Sequence, residues 1–467
     1  MVKFFQYLIP ILLLTAHCSQ GQTCHTPWSN TIQLSDDNFL SFSPRIAGSH
    51  ETIHVIWFNL DTTFTSADAG IYYTRSEDSG HTFTAPVILL NSSVAINAGI
   101  LIAFGRNVVT ACYGILDTKT GTVVCRSTDG GATWLTPQLI HEKSFPQTMT
   151  TFNSHIIIQF ASIGSISKGI LLSQDNGATW QVVNSASPQF SDMTATQELL
   201  HAVGPANRES GTEVGYYYSI NEGRNWYGPD IISSDDRKPS LYPKIAASGD
   251  GTLYVTWHES GTILLRRSGW YDDENTLLWD PPVLISEGTS NEFPDIAVNN
   301  RIIAAAWERR EGDQYNVNFR YSGNGGTYFC PLDFPSPSSE GSEPALLSTG
   351  NTVHIVWNSQ TSAGAEIFYR QGILEEFLTG ISPILRQSYP NPASAEATIE
   401  FELQSPELAE IILYNLLGQK VMTLFKGTYG PGTYSVPFKV SELGSGVYFY
   451  RLTTRNSGDT KKLIILR

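Results

Sequence analysis

Ser127-Thr-Asp-Gly-Gly-Ala-Thr-Trp134 returns with the same order of residue types as Ser76-Glu-Asp-Ser-Gly-His-Thr-Phe83, as Ser173-Gln-Asp-Asn-Gly-Ala-Thr-Trp180 and, more weakly, as Ser219-Ile-Asn-Glu-Gly-Arg-Asn-Trp226. Degraded copies stand at Ser268 to Trp279, where residues are inserted, and at Ser322 to Tyr328, where one is missing. A second marker runs beside the first: a Pro and a short apolar stretch that lead into a strand ending in Trp. It spans Pro44 to Trp57, Pro243 to Trp257, Pro294 to Trp307 and Pro344 to Trp357, so the Trp positions differ by 200, 50 and 50. Self-similarity at a fixed period near fifty residues signals a repeat architecture and takes precedence over any local motif.

From Pro44 to Pro344 is 300 residues, six intervals of fifty and therefore seven units. Radial repetition of units with roughly four short strands each predicts an all-β fold whose main part is a seven-bladed β-propeller. The seventh unit has no copy of the motif after it, while Trp28 to Leu34 is an extended run without a neighbour in sequence. That run is expected to complete the last blade and close the ring, which would bring Cys24 near Cys330. Within each motif the Asp accepts amide hydrogen bonds across a turn, the Gly supplies a positive φ, and the Trp packs between sheets. Asp78, Gly80, Asp129, Gly131, Trp134, Asp175, Gly177, Trp180 and Trp226 are therefore read as structural. Arg75, Arg126, Arg267, Arg320 and Arg370 recur just before the motif or its equivalent, which marks them as scaffold or surface residues.

The chain has 467 residues, with 29 Lys+Arg against 44 Asp+Glu and a net charge of −15, which argues against nucleic-acid binding because phosphate neutralisation needs a basic face. Charged residues make up only 16 %, aromatics reach 11 %, and 39 Gly with 24 Pro supply the turns of a folded β-protein. Residues 1–22 read as a secretory signal, with Lys3 ahead of an apolar stretch from Phe4 to Ala16. No later apolar run approaches the ~20 residues of a membrane span. His17 stands where a lipid-attachment signal at Cys18 would want a small residue. Cys112 and Cys125 fall in adjacent strand-like runs, so a cross-strand disulfide and two packed thiols both satisfy the sequence. No cofactor or metal is expected: the cysteines have no CxxC or His cluster beside them, and Asp272, Asp273 and Glu274 read as a solvated insertion.

The SxDxGxTW copies resemble the bacterial neuraminidase repeat, or Asp-box, and so imply a sialidase-like propeller. After Gly380 the fifty-residue period stops. Gln387-Ser-Tyr-Pro-Asn-Pro392, Leu413-Tyr-Asn-Leu-Leu-Gly-Gln-Lys-Val421, Leu443-Gly-Ser-Gly-Val-Tyr-Phe-Tyr450 and Lys461-Lys-Leu-Ile-Ile-Leu-Arg467 resemble, in order, the type A C-terminal sorting domain of the type IX secretion system. Ala393 departs from the Phe usual there. This resemblance implies a small immunoglobulin-like β-sandwich, the type IX secretion machinery as a partner, export through the periplasm, and a final place outside the cell or on the outer-membrane surface. The expected organisation is a signal peptide at 1–22, a propeller at 23–380 and a sorting domain at 381–467.

The ligand face of a propeller is made by the loops that enter its inner strands and those after its second strands. That selects Arg45, Lys244 and Asp295, and the residues following each Trp: Phe58 and Asn59, His258 and Glu259, Glu308-Arg309-Arg310-Glu311, and Asn358. Two functional classes stay open. The sialidase resemblance implies three arginines for the substrate carboxylate, a Tyr nucleophile activated by Glu, and an Asp acid/base. Its candidates here are Arg45, Asp61 or Asp68, Glu308 and Arg309, with Tyr242, Tyr254 and Tyr315 as the available tyrosines. Against it, Ala47 replaces the Pro of the family's early Arg-Ile-Pro motif, the position of Arg45 holds Lys244, Asp295 and Ala345 in other units, and sialidase propellers have six blades. The favoured class is a non-catalytic surface module that recognises glycans or surface proteins through Lys244, His258, Glu259, Asp295, Arg310 and Asn358.

Overall fold

The computed structural model describes residues 26–35, 40–49, 51–60, 69–91, 99–209, 211–234, 236–271, 277–336, 341–361, 364–374, 384–403, 407–416, 418–429, 432–441, 443–454 and 458–466. The signal segment, Cys18, Cys24 with its pairing, Asp61, Asp68 and the run Asp272 to Glu274 lie outside them. Among the described residues there is no helix, and thus none long and apolar enough to cross a membrane.

Antiparallel sheets follow one another along the chain, each laid down strand by strand from the inside outward. The first runs Leu40–Gly48, Ile53–Leu60, Gly70–Ser76 and Val87–Asn91, and the fourth runs Asp192–Ala195, Leu200–Arg208, Gly211–Ser219 and Tyr227–Ile231. The innermost strands are Leu40–Gly48, Ile100–Phe104, Ser144–Phe152, Asp192–Ala195, Ser240–Ala247, Asn291–Asn299 and Ser342–Thr349. Each lies against the next in chain order, and the last lies against the first. In the last sheet Ile32–Gln33 pairs with Ala365–Ile373, so the N-terminal run supplies the outer strand, as the repeat count led us to expect. The sixth sheet has three regular strands, with only an isolated bridge from Phe319 to Asp333 where a fourth would lie. Pro331 and Pro335 explain the shortfall, since neither offers an N–H to a ladder.

A single sheet cannot bury both of its faces, and stacking neighbours solves this. One core joins the first and second sheets through Ile56, Tyr73 and Val108, and further cores continue in chain order. A last core joins Ile53 and Trp57 of the first sheet to Val356 and Tyr369 of the final one. The four Trp of the repeat, Trp57, Trp257, Trp307 and Trp357, are all fully buried. Side chains of this kind are worth roughly 3–5 kcal/mol each against Ala. Cys112 and Cys125 are buried free thiols, and the register explains why: Cys112 sits opposite Val123 and Cys125 opposite Thr110, so the two are diagonal rather than paired.

The recurring turns share one hydrogen-bond pattern. Ser127 Oγ donates to Asp129 Oδ1 at 2.7 Å and accepts from Gly131 N at 2.8 Å, while Asp129 Oδ1 also accepts from Thr133 N at 2.9 Å. Asp78, Asp175 and Asn221 repeat it, and so does Asn324 in the shortened copy, where Tyr328 N takes the place of the Thr amide. Bonds from Thr82 and Thr179 hold the Asp78 and Asp175 carboxyls down at about 2. The arginine before a motif ties its sheet to the next turn: Arg75 Nη1 donates to Gly130 O at 2.8 Å and Arg267 Nη1 to Gly325 O at 2.8 Å.

The C-terminal segment forms two further sheets. One is Ile384–Leu385, Glu396–Leu403 and Gly432–Lys439; the other is Lys420–Tyr429, Glu407–Tyr414, Gly446–Thr454 and Gly458–Ile465. Strict alternation along Glu396–Leu403 turns Ala397, Ile399, Phe401 and Leu403 inward to meet Ile411, Leu413, Leu452 and Leu463 in one core. Ala393 is buried and bound through its backbone, its N donating to Ile464 O at 2.8 Å.

Candidate functional site

Four inner strands begin with the same irregularity. Ser43, Tyr242, Phe293 and Glu343, each just before a Pro, have φ of 51°, 52°, 49° and 51°. At the same places the ladders slip, between Phe42 and Arg45, Leu241 and Lys244, Glu292 and Asp295, and Ser342 and Ala345. Pro cannot donate to the ladder, so the chain bulges there and the preceding residue leaves the pleat. The result is a rim of side chains at the entry to the inner strands. Tyr242 and Phe293 on this rim are 47 % and 40 % exposed, and their ring centroids are 4.6 Å apart with planes at 47°. The His258 ring lies 6.3 Å from Tyr242.

Carboxylates continue the arc. Glu292 stands opposite Glu308 in the ladder, and Glu343 N donates to Glu308 Oε2 at 3.3 Å. Glu343 Oε2 in turn accepts from Ser43 N at 2.8 Å, which links the last sheet to the first. Glu308 is only 7 % exposed, and burial, reinforced by the charges of Glu343 and Glu292, pushes its carboxyl up to about 7. The strand Ile302–Glu311 runs through the whole Glu308-Arg309-Arg310-Glu311 group, which the sequence placed in the loop after the second strand.

The cations expected on this face are engaged elsewhere. Arg45 Nη1 donates to Pro44 O at 2.8 Å, Arg309 pairs with Glu311 at 3.1 Å, and Arg310 lies 5.7 Å over the Tyr315 ring with its Nε on Gly312 O. Lys244 lies near Asp192, whose carboxyl is raised by burial and drawn back by that charge. Asp295 Oδ2 accepts from Leu346 N at 2.8 Å and Asp192 Oδ2 from Ile245 N at 3.0 Å, so both acids tie one inner strand to the next. Glu259 is buried and accepts from Ser240 Oγ at 2.9 Å; Asn358 is buried, accepts from Ser342 and donates to Glu343 Oε2 at 3.2 Å. His258 Nε2 accepts from Gly261 N at 2.9 Å.

The structure thus brings His258, Glu308 and the partners of Asn358 onto one rim with Tyr242, and leaves Arg309 and Arg310 at its edge. Sequence reasoning missed Phe293, Glu292 and Glu343. For Phe293 and Glu343 the signal was their place directly before a recurring Pro; Glu292 stands one residue earlier. At the far ends of the inner strands, turns at Asn153, Thr196 to Leu199 and Asp250 to Thr252 border a cleft of about 920 Å³ that contains none of the candidate residues.

Comparison with known proteins bears on both parts of the chain. Residues 47–255 match the family described as BNR repeat-like domain, and residues 387–466 match the secretion system C-terminal sorting domain. No curated protein matches. Among solved structures, a protein of unknown function from Dyadobacter fermentans is 12 % identical, with 75 % of this chain and 99 % of that one covered and a TM-score of 0.47. A Trypanosoma rangeli sialidase mutant displaying trans-sialidase activity is 9 % identical, with 91 % and 83 % covered and a TM-score of 0.44. The endosialidase of phage phi92 is 10 % identical, with 86 % and 75 % covered and a TM-score of 0.45. Identities this low say nothing of activity. The chain is thus an all-β protein similar to the BNR repeat-like domain over residues 47–255 and to the secretion system C-terminal sorting domain over residues 387–466.

Proposed function

We propose that this protein is a secreted or outer-membrane-surface module that recognises glycans through the rim of a seven-bladed sialidase-like propeller, residues 23–380. Its export signals are residues 1–22 and a small immunoglobulin-like β-sandwich, residues 381–467, which the type IX machinery handles. Inter-sheet cores that run in chain order and return to the first sheet support the blade count. The two C-terminal sheets around one core support the sandwich. The observation that carries the recognition reading is the exposed Tyr242–Phe293 pair, two large apolar rings held in solvent on a fixed bulge. Exposed aromatics in a rim with hydrogen-bonding neighbours are what a sugar ring needs. A sialidase mechanism draws no support from the arginines, because Arg45, Arg309 and Arg310 point to three separate partners.

A glycan-array screen with the full mature chain is expected to give binding without release of any sugar. Release of sialic acid from a mixed sialoglycoprotein, lost in Arg45→Ala, would overturn the binding reading in favour of an enzyme. Deletion of Tyr389 to Arg467 is expected to leave the protein in the periplasm. Cell fractionation checks this, and normal surface display of the truncated chain would remove the sorting assignment.

A further inference from the structure

The rim also carries information about the charge of its ligand. A tyrosine or phenylalanine at positive φ is uncommon and costs free energy. The bulge itself does not need an aromatic, since Ser43 adopts φ 51° at the equivalent place in the first sheet. Two adjacent units nevertheless place large rings there and leave them exposed. At 4.6 Å the rings touch each other. Tilted at 47°, they buttress each other and leave an exposed aromatic face, so the geometry suits a sugar ring stacked on one ring with the other holding it in place.

Around the platform the charge has one sign. Glu292 is exposed beside Phe293, Glu308 lies across the ladder from it, and Glu343 follows on the next strand. Among the described residues, Glu308 has a single hydrogen bond, from Glu343 N to Oε2 at 3.3 Å, although it is more than nine-tenths buried. A buried carboxylate this poorly partnered gains from a donor that arrives from outside. Arg309 and Arg310 follow Glu308 on the same strand, with Arg309 Nη2 on Glu311 and Arg310 over the Tyr315 ring. An acidic sugar would therefore meet the carboxylates of Glu292 and Glu343, joined by Glu308 as the pH rises past about 7, whereas a sugar with a free amine would meet its complement.

We propose that Tyr242, Phe293, Glu292, Glu308 and Glu343 form a subsite for an amino sugar with a free amine, its ring stacked on the exposed face of the aromatic pair and its ammonium directed to the carboxylates. This rests on the glycan-recognition reading above and narrows it to cationic saccharides, with sialic acid excluded.

Calorimetric titration of the full mature chain at pH 6 with a glucosamine hexamer, its fully N-acetylated counterpart, 3′-sialyllactose and a lysine-rich peptide tests the proposal. The glucosamine hexamer is expected to bind about tenfold or more tightly than the acetylated form, and sialyllactose not at all. Glu292→Gln, at an exposed position, is expected to reduce that discrimination. Tyr242→Ser, which installs the residue that Ser43 shows the bulge accepts, is expected to abolish binding of both hexamers. Equal affinity for the two hexamers, or tighter binding of sialyllactose, overturns the charge assignment while glycan recognition stands. Binding of the peptide alone, or of no saccharide, overturns both.

Discussion

Gly131→Ala is expected to cost roughly 2–4 kcal/mol of folding stability, a positive-φ cost added to an overpacking cost. Gly131 has φ +78°, and a Cβ built there lies 1.8 Å from Tyr73 Oη and 2.8 Å from its Cζ. Tyr73 has nowhere to go. Its hydroxyl bonds His54 Nδ1 at 2.8 Å, its ring meets Trp134 edge-on at 4.7 Å, and its backbone is a ladder member of the first sheet. Moving it would leave a buried His nitrogen without its partner and would open the core between the first two sheets. The adjacent Gly130 supplies the control: its φ is +77°, yet nothing lies within 4 Å of its would-be Cβ. Gly130→Ala should therefore show the conformational part alone, about 1 kcal/mol. Melting temperatures of the two variants separate the terms. Tyr73→Phe in the Gly131→Ala background removes the clashing oxygen and should recover part of the loss. Equal melting of the two alanine variants would show that the close approach is not holding the sheets together. The same contact recurs where the last sheet meets the first, with a Cβ at Gly80 placed 1.8 Å from Tyr369 Oη.

That glycine shows what a repeat in sequence does and does not convey. The period, the sheet order and the N-terminal strand that joins the last sheet were legible because each unit must solve the same problem, burying a Trp-bearing strand between neighbours. The Gly of the turn was legible as a positive-φ residue, but its second duty, to let a Tyr from the preceding sheet reach the turn, is a contact between distant residues and leaves no local trace. Positions that recur are those with a common structural task, as Arg75 and Arg267 show by reaching the next turn. Positions that vary are freed for other uses, yet variation alone misleads. Arg45, Lys244, Asp295 and Ala345 vary at one place, and there Asp295 is taken up by a strand-to-strand tie. Ser43, Tyr242, Phe293 and Glu343 vary at the place before, and only the bulge geometry shows that these residues share one rim, on which Tyr242 and Phe293 are exposed. Glu308 was placed in a loop for a simpler reason: the strand runs further than the apolar stretch, so a carboxylate expected beyond the strand ends buried within it.

Acidification from pH 7.5 to 4.5 is expected to withdraw several kcal/mol of stability contributed by two buried histidines, most of it between about pH 6.5 and 4, partly offset by protonation of Glu308, whose carboxyl is raised to about 7. His54 and His201 are both lowered from 6.5 to about 4, by burial in each case, with the Arg75 charge adding to the effect at His54. Each Nδ1 meets a buried Tyr hydroxyl, at 2.8 Å for Tyr73 and 2.7 Å for Tyr216, and His201 Nε2 also lies 3.0 Å from Thr196 Oγ1. The unfolded chain takes up protons at its ordinary histidine value, while the folded chain resists until about pH 4. Stability from these groups is therefore fully present above about 6.5 and is lost as the pH falls through the folded value, roughly 3 kcal/mol for each residue. Below pH 4 the two histidines contribute no further slope. The turn carboxyls of Asp78 and Asp175, held at about 2, then take over and extend the loss toward still lower pH. Melting curves taken at half-unit steps, with His201→Asn alongside, distinguish this from general charge repulsion. The variant should be less stable at pH 7.5 but should lose less on going to pH 4.5, because one of the two linked protons is gone. Parallel pH profiles for the variant and the parent would mean that His201 is solvated rather than held neutral between the sheets. Since each His–Tyr pair lies in an inter-sheet core, acid should act first on the contacts between sheets rather than on the ladders within them.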